Sequence, residues 1–344
     1  MTHYKKNILI TGGSGFIGSN LIHYLIKNKS YKIFNIDKLS YASNSNSLEY
    51  LKNNKRYFFS KFSICNKNKL KNVYENFKPN IIINLAAESH VDNSIKSPSN
   101  FIQSNIVGTF NLLEVSRNYF IKNLIKDFKF YHISSDEVYG DYYGKKNKAL
   151  ESSRYNPSSP YAATKAAADH LVRAWMRTYN LPILISHSTN NFGPYQNSEK
   201  LIPKTITNAL NYNKIPIYGN GKQKRDWIYV DEHVNAISKV LNKGEIGESY
   251  NIAGGNQITN LNLVKMILSI LDKLKPIKSN SSSLIKNSYL ELLSFVDDRP
   301  GHDLRYCINA NKIINKLKWK PKNKFKNDLK KTIKWYIQNK NLFN

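Results

Sequence analysis

Cysteine is almost missing from this chain. Cys65 and Cys307 are the only two in 344 residues, too few for a disulfide framework and without the paired spacing of a thiolate metal site. No metal is expected. Long apolar runs are missing as well, and none approaches the ~20 residues that a membrane span requires. The first residues, Met1 to Asn7, are polar and lead straight into a strand-like run, unlike a secretory signal. A cytoplasmic location is expected, with no membrane partner. Acidic residues are scarce, 24 against 52 Lys and Arg, leaving a net charge of +28. Arginine is scarcer still, eight residues against 44 Lys. So basic a chain invites nucleic acid. Base reading, however, draws on arginine forks and aromatics gathered on one face, and here the lysines are spread throughout. Asn and Ile are also abundant and share AT-rich codons with Lys, so compositional drift accounts for all three together. No nucleic-acid partner is expected, though the charge helps to draw in an anionic substrate.

What is present speaks for an ordered α/β protein. Hydrophobic residues make up 41% and aromatics 12%, which excludes disorder, and the length suits two domains or one large and one small. Short, Ile-rich, mostly unalternated runs at Asn7–Thr11, Tyr31–Ile36, Ile81–Leu85, Phe128–Ile133 and Ile183–His187, with a weaker one at Tyr57–Phe59, read as strands covered on both faces. Helix-length segments lie between them: Phe16–Asn28, Asn68–Phe77, Phe101–Tyr119 and Ala162–Tyr179. This rhythm predicts a doubly wound parallel sheet. In the second half, Trp227–Val230 reads as a strand, Asp231–Asn242 as a helix and Ser249–Ile252 as a strand, all returning to the first domain. A helix over Asn260–Leu274, a polar loop over Ser279–Ser283 and the segment Phe295–Asn344 belong to a smaller lobe. The expected division is 1–190 with about 227–255 for a dinucleotide domain, and 191–226 with 256–344 for a substrate lobe.

Thr11 to Gly18 follows the first strand and opens the first helix. Gly12, Gly15 and Gly18 have the spacing of a dinucleotide-binding turn, in which glycines let backbone N–H groups approach a pyrophosphate at a helix N-terminus. Asp37 ends the second strand 19 residues beyond Gly18, where an acid binds a ribose diol. The fold expected is therefore Rossmann-like. A carboxylate at Asp37 repels a 2′-phosphate and favours NAD over NADP; Lys38 beside it weakens that argument.

Tyr161 and Lys165, four residues apart, share one helix face. A free phenol titrates near pH ~10, and ionising it at pH 7 costs about 4 kcal/mol; the lysine ammonium and a nicotinamide ring both lower that cost. Alone, such a pair equally describes one aromatic and one solvated lysine. Ser135, placed to hydrogen-bond a reacting oxygen, and the glycine turn tilt the reading toward a dehydrogenase-type site. Asp136 and Glu137 directly follow Ser135 at a strand end, where ligands of open α/β sheets bind. A hydride transfer needs only the Ser, Tyr and Lys, so this further acid and base point to a second reaction at an adjacent carbon.

The segments Thr11–Gly18, Leu85–Ser94, Ser134–Gly140, Tyr161–Lys165, Asn190–Tyr195, Glu199–Pro203, Arg225–Val230 and Asp298–Asp303 together resemble the dTDP-glucose 4,6-dehydratases, a family within the extended short-chain dehydrogenase/reductases. The resemblance covers nearly the whole chain. It implies NAD as cofactor and dTDP-glucose as substrate. Tyr161 takes the C4 hydroxyl proton, Glu137 the C5 proton, and Asp136 protonates the departing C6 hydroxyl. For the cofactor it implies Gly12, Gly15, Phe16, Ile17, Gly18, Asp37, Lys38, Leu39, Ser40, Ile64, Leu85, Ala86, Ala87, Glu88, Ser89, Ser104 and Asn191, besides Tyr161 and Lys165. For the nucleotide sugar it implies Ser89, Ser135, Asn190, Lys200, Leu201, Pro216, Ile217, Tyr218, Arg225, Asn260, Asp298, Arg299, Pro300, Gly301 and His302. Arg225, forked and permanently charged, suits a diphosphate. His90 and His302 are given no proton-transfer role. Relatives dimerise through helices matching Phe101–Tyr119 and Ala162–Tyr179, so a homodimer is expected. Ser135 and Ser63 stand where the family usually has Thr and Asp. An epimerase or decarboxylase on a UDP-sugar would share the glycine turn and Tyr–Lys pair without needing Asp136 and Glu137. A noncatalytic nucleotide or RNA binder would need none of the reacting side chains.

Overall fold

The computed structural model describes residues 6–277, 287–322 and 324–340; the polar loop expected over Ser279–Ser283 lies outside them. Its largest layer is a sheet of seven parallel strands: β1 (Lys6–Thr11), β2 (Tyr31–Asp37), β3 (Tyr57–Lys61), β4 (Ile81–Asn84), β5 (Lys129–Ser135), β6 (Ile183–Ser188) and β10 (Ser249–Ile252), in the order β10-β6-β5-β4-β1-β2-β3. The strand order runs outward from β1 in both directions, which puts a crevice at the strands' carboxyl ends. Helices α1 (Phe16–Leu25) and α8 (Val230–Lys243) cover one face, and α2 (Lys67–Phe77), α5 (Gly108–Asn123) and α6 (Pro160–Tyr179) the other. The unalternated strand runs follow from this. Ile8 and Ile10 pack with Leu21, Ile22, Val234 and Ile237, while Leu9 between them packs with Leu70, Leu112 and Val172.

The second core lies among α7 (Leu201–Leu210), α9 (Asn260–Leu274) and α11 (Phe325–Gln338), around Ile202, Ile206, Leu263, Ile267, Leu329 and Ile333. Two small sheets flank it: β7 (Asn190–Phe192), β9 (Lys224–Tyr229) and β11 (Gln257–Thr259) in the order β11-β9-β7, and a parallel pair of β8 (Ile215–Tyr218) and β12 (Leu293–Val296). A short helix α10 (Asn311–Leu317) packs its Ile313 and Leu317 into the core of the large sheet.

Two elements differ from expectation. The strand read at Trp227–Val230 does not join the large sheet; β9 pairs with β7 and β11. Its alternating side chains explain how it serves both cores, Trp227 packing in the small one and Ile228 in the large. The helix read as continuous from Phe101 is three pieces. After α3 (Val91–Lys96) and α4 (Pro98–Phe101) comes a π-helical stretch, Ile102–Val107, and only then α5. Within that wider turn the buried Asn105 accepts from the Glu88 N–H (2.8 Å) and donates to the Glu88 carbonyl (3.0 Å) and the Thr164 hydroxyl (2.9 Å). It ties the loop after β4 to α6.

Candidate active site

The turn between β1 and α1 is shaped by glycine where nothing larger fits. Gly12 has φ of +71°, and a Cβ there would sit 2.7 Å from the backbone N of Ala86; a Cβ on Gly18 would fall 2.2 Å from the Gly12 carbonyl oxygen. These contacts let α1 and the loop after β4 close around a cradle. At its floor the first-turn N–H groups of α1 lack intrahelical partners and face an anion's position. Asp37 stands at the end of β2. Its Oδ2 accepts from the Ser14 N–H (3.0 Å), and its Oδ1 from the Leu39 N–H (2.8 Å) and the Ser43 hydroxyl (3.0 Å). Of about four lone-pair positions on a carboxylate, one is left on Oδ2, enough for a ribose hydroxyl. Lys38 is paired with Glu88 and donates to Ser104 Oγ at 3.0 Å. Its charge is therefore already paired, which leaves the Asp37 carboxylate without a cation against it among the described residues, an arrangement that disfavours a 2′-phosphate.

From this cradle a cleft of about 420 Å³ runs to the small lobe. Every residue expected in the site lines it except Leu39, Glu88, Asp298, Pro300 and Gly301. Leu39 takes a left-handed turn with φ of 54°, its N–H spent on Asp37. Glu88 is buried behind the lining against Lys38. Asp298 braces the site from outside, bonded to His302 Nδ1 (2.6 Å) and Gln223 Nε2 (2.8 Å), and Pro300 and Gly301 form the exposed turn beyond it.

At the centre, β5 ends in Ser135 and breaks into a short 3-10 turn over Asp136–Tyr139. Opposite, α6 is started sharply by Ser159, whose side chain accepts from the Ala162 N–H at 3.1 Å, with Pro160 in its first turn. That start sets Tyr161 in the first turn and Lys165 one turn on. The Tyr161 phenol is held above its ordinary range by burial and by the charge of Glu137, against a hydrogen bond to Ser135. Lys165 donates to the Ile133 carbonyl at 2.8 Å, and burial brings its ammonium down to about 8. In the protein alone the phenol is neutral, so its ionisation waits on positive charge brought into the cleft.

The two carboxyls have different surroundings. Asp136 is 3% exposed, and its Oδ2 has no hydrogen-bond partner among the described residues; burial, then the neighbouring Glu137 charge, pushes its pKa well above the carboxylate range. Burial raises Glu137 too, but Arg225, Arg299 and Lys200 oppose it, as does the Tyr306 hydroxyl at 3.3 Å. The upward push is stronger on Asp136 and is opposed by three cations on Glu137, the kind of difference that separates an acid from a base.

The far end of the cleft is cationic. Arg225, 4% exposed, donates to the carbonyls of Lys224 (3.0 Å) and Asp303 (2.8 Å) and stacks 4.2 Å from the Tyr306 ring centroid. No carboxylate pairs with it among the described residues, so its charge stays free for an anionic ligand. Lys200 donates to the Ser89 carbonyl (2.7 Å), and Arg299 pairs with Asp92 (3.0 Å) across the cleft. Asn260 Oδ1 and Asn191 Oδ1 are buried acceptors without partners among the described residues. Among those residues no cluster of His, Cys, Asp and Glu is placed to hold a metal, and no helix is long and apolar enough to cross a membrane.

The family profile described as GDP-mannose 4,6 dehydratase matches residues 9–332. A dTDP-glucose 4,6-dehydratase of Haemophilus influenzae is 50% identical over 97% of this chain and 98% of its own length. One from Escherichia coli strain K12 is 45% identical over 96% and 93%. Among solved structures, dTDP-glucose 4,6-dehydratase from Streptomyces venezuelae with NAD bound superposes with a TM-score of 0.88 at 35% identity, covering 98% of this chain and 99% of that one. The Bacillus anthracis enzyme in complex with NAD gives 0.84 at 40%, covering 98% of each. The chain belongs to the dTDP-glucose 4,6-dehydratase family.

Several lining residues escaped the sequence reading. Asp92 and Glu199 lie inside segments that carry the family resemblance, yet only the structure shows Asp92 holding Arg299 and Glu199 Oε1 buried 4.0 Å from the Lys200 ammonium. Tyr306, which touches Glu137, Asp303 and Arg225 together, lies just past Asp298–Asp303 and had no local signal. Asn105 had none either, since its role depends on the π-helical turn.

Proposed function

We propose that the chain converts dTDP-glucose to dTDP-4-keto-6-deoxyglucose and water, the dehydratase activity of its family. Ser135 hydrogen-bonds the C4 oxygen and Tyr161 removes the C4 hydroxyl proton. Glu137 takes the C5 proton, made acidic by the neighbouring ketone, and Asp136 supplies the proton that lets the C6 hydroxyl leave as water. NAD⁺ supplies the hydride chemistry when bound, and the glycine cradle, Asp37 and the loop Leu85–Ser89 hold it. Arg225 and Lys200 take the diphosphate. The order is chemical necessity, because elimination at C5–C6 needs the ketone first.

The observation that carries this reading is the pair Asp136 and Glu137 at the end of β5, side by side in the cleft, Asp136 buried with its Oδ2 unpartnered among the described residues and Glu137 opposed by three cations. An epimerase has no use for such a pair. In the test, purified enzyme with NAD⁺ is offered dTDP-glucose and UDP-glucose, and the alkali-induced keto-sugar absorbance is followed. dTDP-glucose is expected to be turned over preferentially. Glu137→Gln is expected to oxidise C4 yet release no water; normal elimination by that variant overturns the assignment of the base.

The same proposal includes the division of the chain into a cofactor part (1–190 with about 227–255) and a sugar-nucleotide part, and a cytoplasmic location. It also includes a homodimer built on α5 and α6. Ile102, Phe110 and Tyr179, on or beside those helices, are 46%, 39% and 37% exposed, an apolar surface of the kind a subunit contact covers. Light scattering at micromolar concentration should give twice the mass of one chain; a monomer defeats that part.

A further inference from the structure

Beneath the cleft lies a buried polar knot for which the dehydratase scheme has no task. Asp169, one helical turn past Lys165 on α6, has no solvent exposure. Its Oδ2 accepts from the Ser134 hydroxyl (2.9 Å) and the Tyr155 hydroxyl (3.0 Å), and His187 Nε2 lies 2.9 Å away. His132 Nε2 stands 3.4 Å from the other oxygen. These partners come from β5, β6 and the segment before α6. An ionised carboxylate stripped of water is costly unless donors reach it; here they gather on Oδ2, while Oδ1 has no hydrogen-bond partner among the described residues. Burial opposes its charge, but the His187 hydrogen bond, aided by the Lys165 ammonium, outweighs that and holds it below the ordinary carboxylate range.

The surrounding groups leave Asp169 as the fixed negative charge of the knot. His132, on β5, is buried neutral at about 3, and the phenols of Tyr139 and Tyr155, packed on His187 of β6, are pushed above their usual range by burial. On the cleft side stand Tyr161, Asp136 and Glu137, all three pushed above their ordinary values, by burial first. Lys165 is 4% exposed and has no ion pair within hydrogen-bonding reach among the described residues. Burial draws its ammonium toward neutrality, and Asp169, on the same helix face, is the charge that opposes this.

We propose that Asp169 is a positioning residue for the reaction: its carboxylate keeps the Lys165 ammonium charged on the face shared with Tyr161 and, through Ser134, fixes the strand end that carries Ser135, Asp136 and Glu137. The proposal rests on the dehydratase reading for the roles of Tyr161 and Lys165. It is tested with Asp169→Asn, which keeps the shape and removes the charge, in the NAD-loaded enzyme. With dTDP-glucose, kcat should fall ~ten-fold or more with KM within about two-fold, and the alkaline limb of the kcat profile should move to lower pH, because Lys165 gives up its proton earlier.

Competitive acetylation with trace acetic anhydride, read on the Lys165 peptide by mass spectrometry, gives a measure independent of turnover. Only the neutral amine reacts, so labelling at pH 7 should rise several-fold in the variant. Asp169→Glu should return both readouts toward the wild type. A purely structural role moves neither. A folded Asn variant with unmoved limb and unmoved labelling overturns the proposal. An inactive wild type would instead count against the dehydratase reading, and the labelling would still decide the role of Asp169. If the Asn variant does not fold, Tyr155→Phe strips one hydroxyl from the carboxylate and leaves its charge less shielded. The limb should then move to higher pH, and an unmoved limb in that variant overturns the proposal equally.

Discussion

Asp136 and Glu137 stand side by side in the sequence, so their presence at a strand end was legible without coordinates. Their difference was not. It comes from Lys200, Arg225, Arg299 and Tyr306, which approach from parts of the chain more than 60 residues away. The position of Asp136 makes a sharp expectation: Asp136→Asn keeps the shape and loses the proton donor. Its kcat should fall by ~10²–10⁴, the usual worth of a positioned acid, while KM for dTDP-glucose stays within about two-fold; a variant with wild-type turnover removes Asp136 from the mechanism. Arg225 answers to a different measurement. Its guanidinium is fixed by two carbonyls and a ring face, so Arg225→Lys keeps the charge and loses the fork. Losing one charged hydrogen bond, about 1.5–3 kcal/mol, should raise KM for dTDP-glucose ten-fold or more and leave kcat within a few-fold; an unchanged KM places the diphosphate elsewhere.

At the scale of elements, the central strands of the large sheet announced themselves because both their faces are buried, and Ile-rich runs bounded by helices have few other readings; the edge strand β3, with Phe58 and Phe59 exposed, gave the weaker signal. The glycine turn was equally plain, since each glycine answers to a named contact. Gly18→Ala tests this. The added methyl meets backbone, the Gly12 carbonyl at 2.2 Å, and backbone cannot swing aside as a side chain does. NAD⁺ affinity measured by calorimetry should drop at least ~ten-fold, as misplacement of about 1 Å weakens a preorganised site; unaltered affinity would mean that the turn relaxes freely. The elements of the small lobe were harder to read. β7 has three residues and β8 four with Pro216 inside, too short for periodicity to speak. The π-helical stretch at Ile102–Val107 was invisible because its cause, the hold of Asn105 on Glu88 and Thr164, is a tertiary contact. The same holds for β9, whose alternating side chains suit two cores and so do not say which sheet it joins.

For the whole molecule, the surplus of lysine says less about the cleft than its sum suggests, because the cations that line it are a few placed residues: Lys38, Lys165, Lys200, Lys204, Arg225 and Arg299. Charge matters differently inside, where composition gives no hint of what a buried group will do. His233 on α8 is fully buried, and both its ring nitrogens lack hydrogen-bond partners among the described residues. Burial lowers its pKa from 6.5 to about 3. Above pH 6.5 the ring is neutral in both folded and unfolded chains and linkage is silent. Between about 6.5 and about 3 the unfolded chain binds a proton that the folded chain refuses, so stability is lost as pH falls, by up to about 1.4 kcal/mol per pH unit from this group. Raised carboxyls such as Asp136 contribute with the opposite sign, which makes the difference between two proteins the clean quantity. His233→Leu removes the titrating group and leaves the others, so urea unfolding between pH 7 and 4.5 should show the variant gaining on the wild type steadily as the pH drops. Parallel curves would mean that the imidazole is reached by water and titrates in the folded state much as it does in the unfolded one.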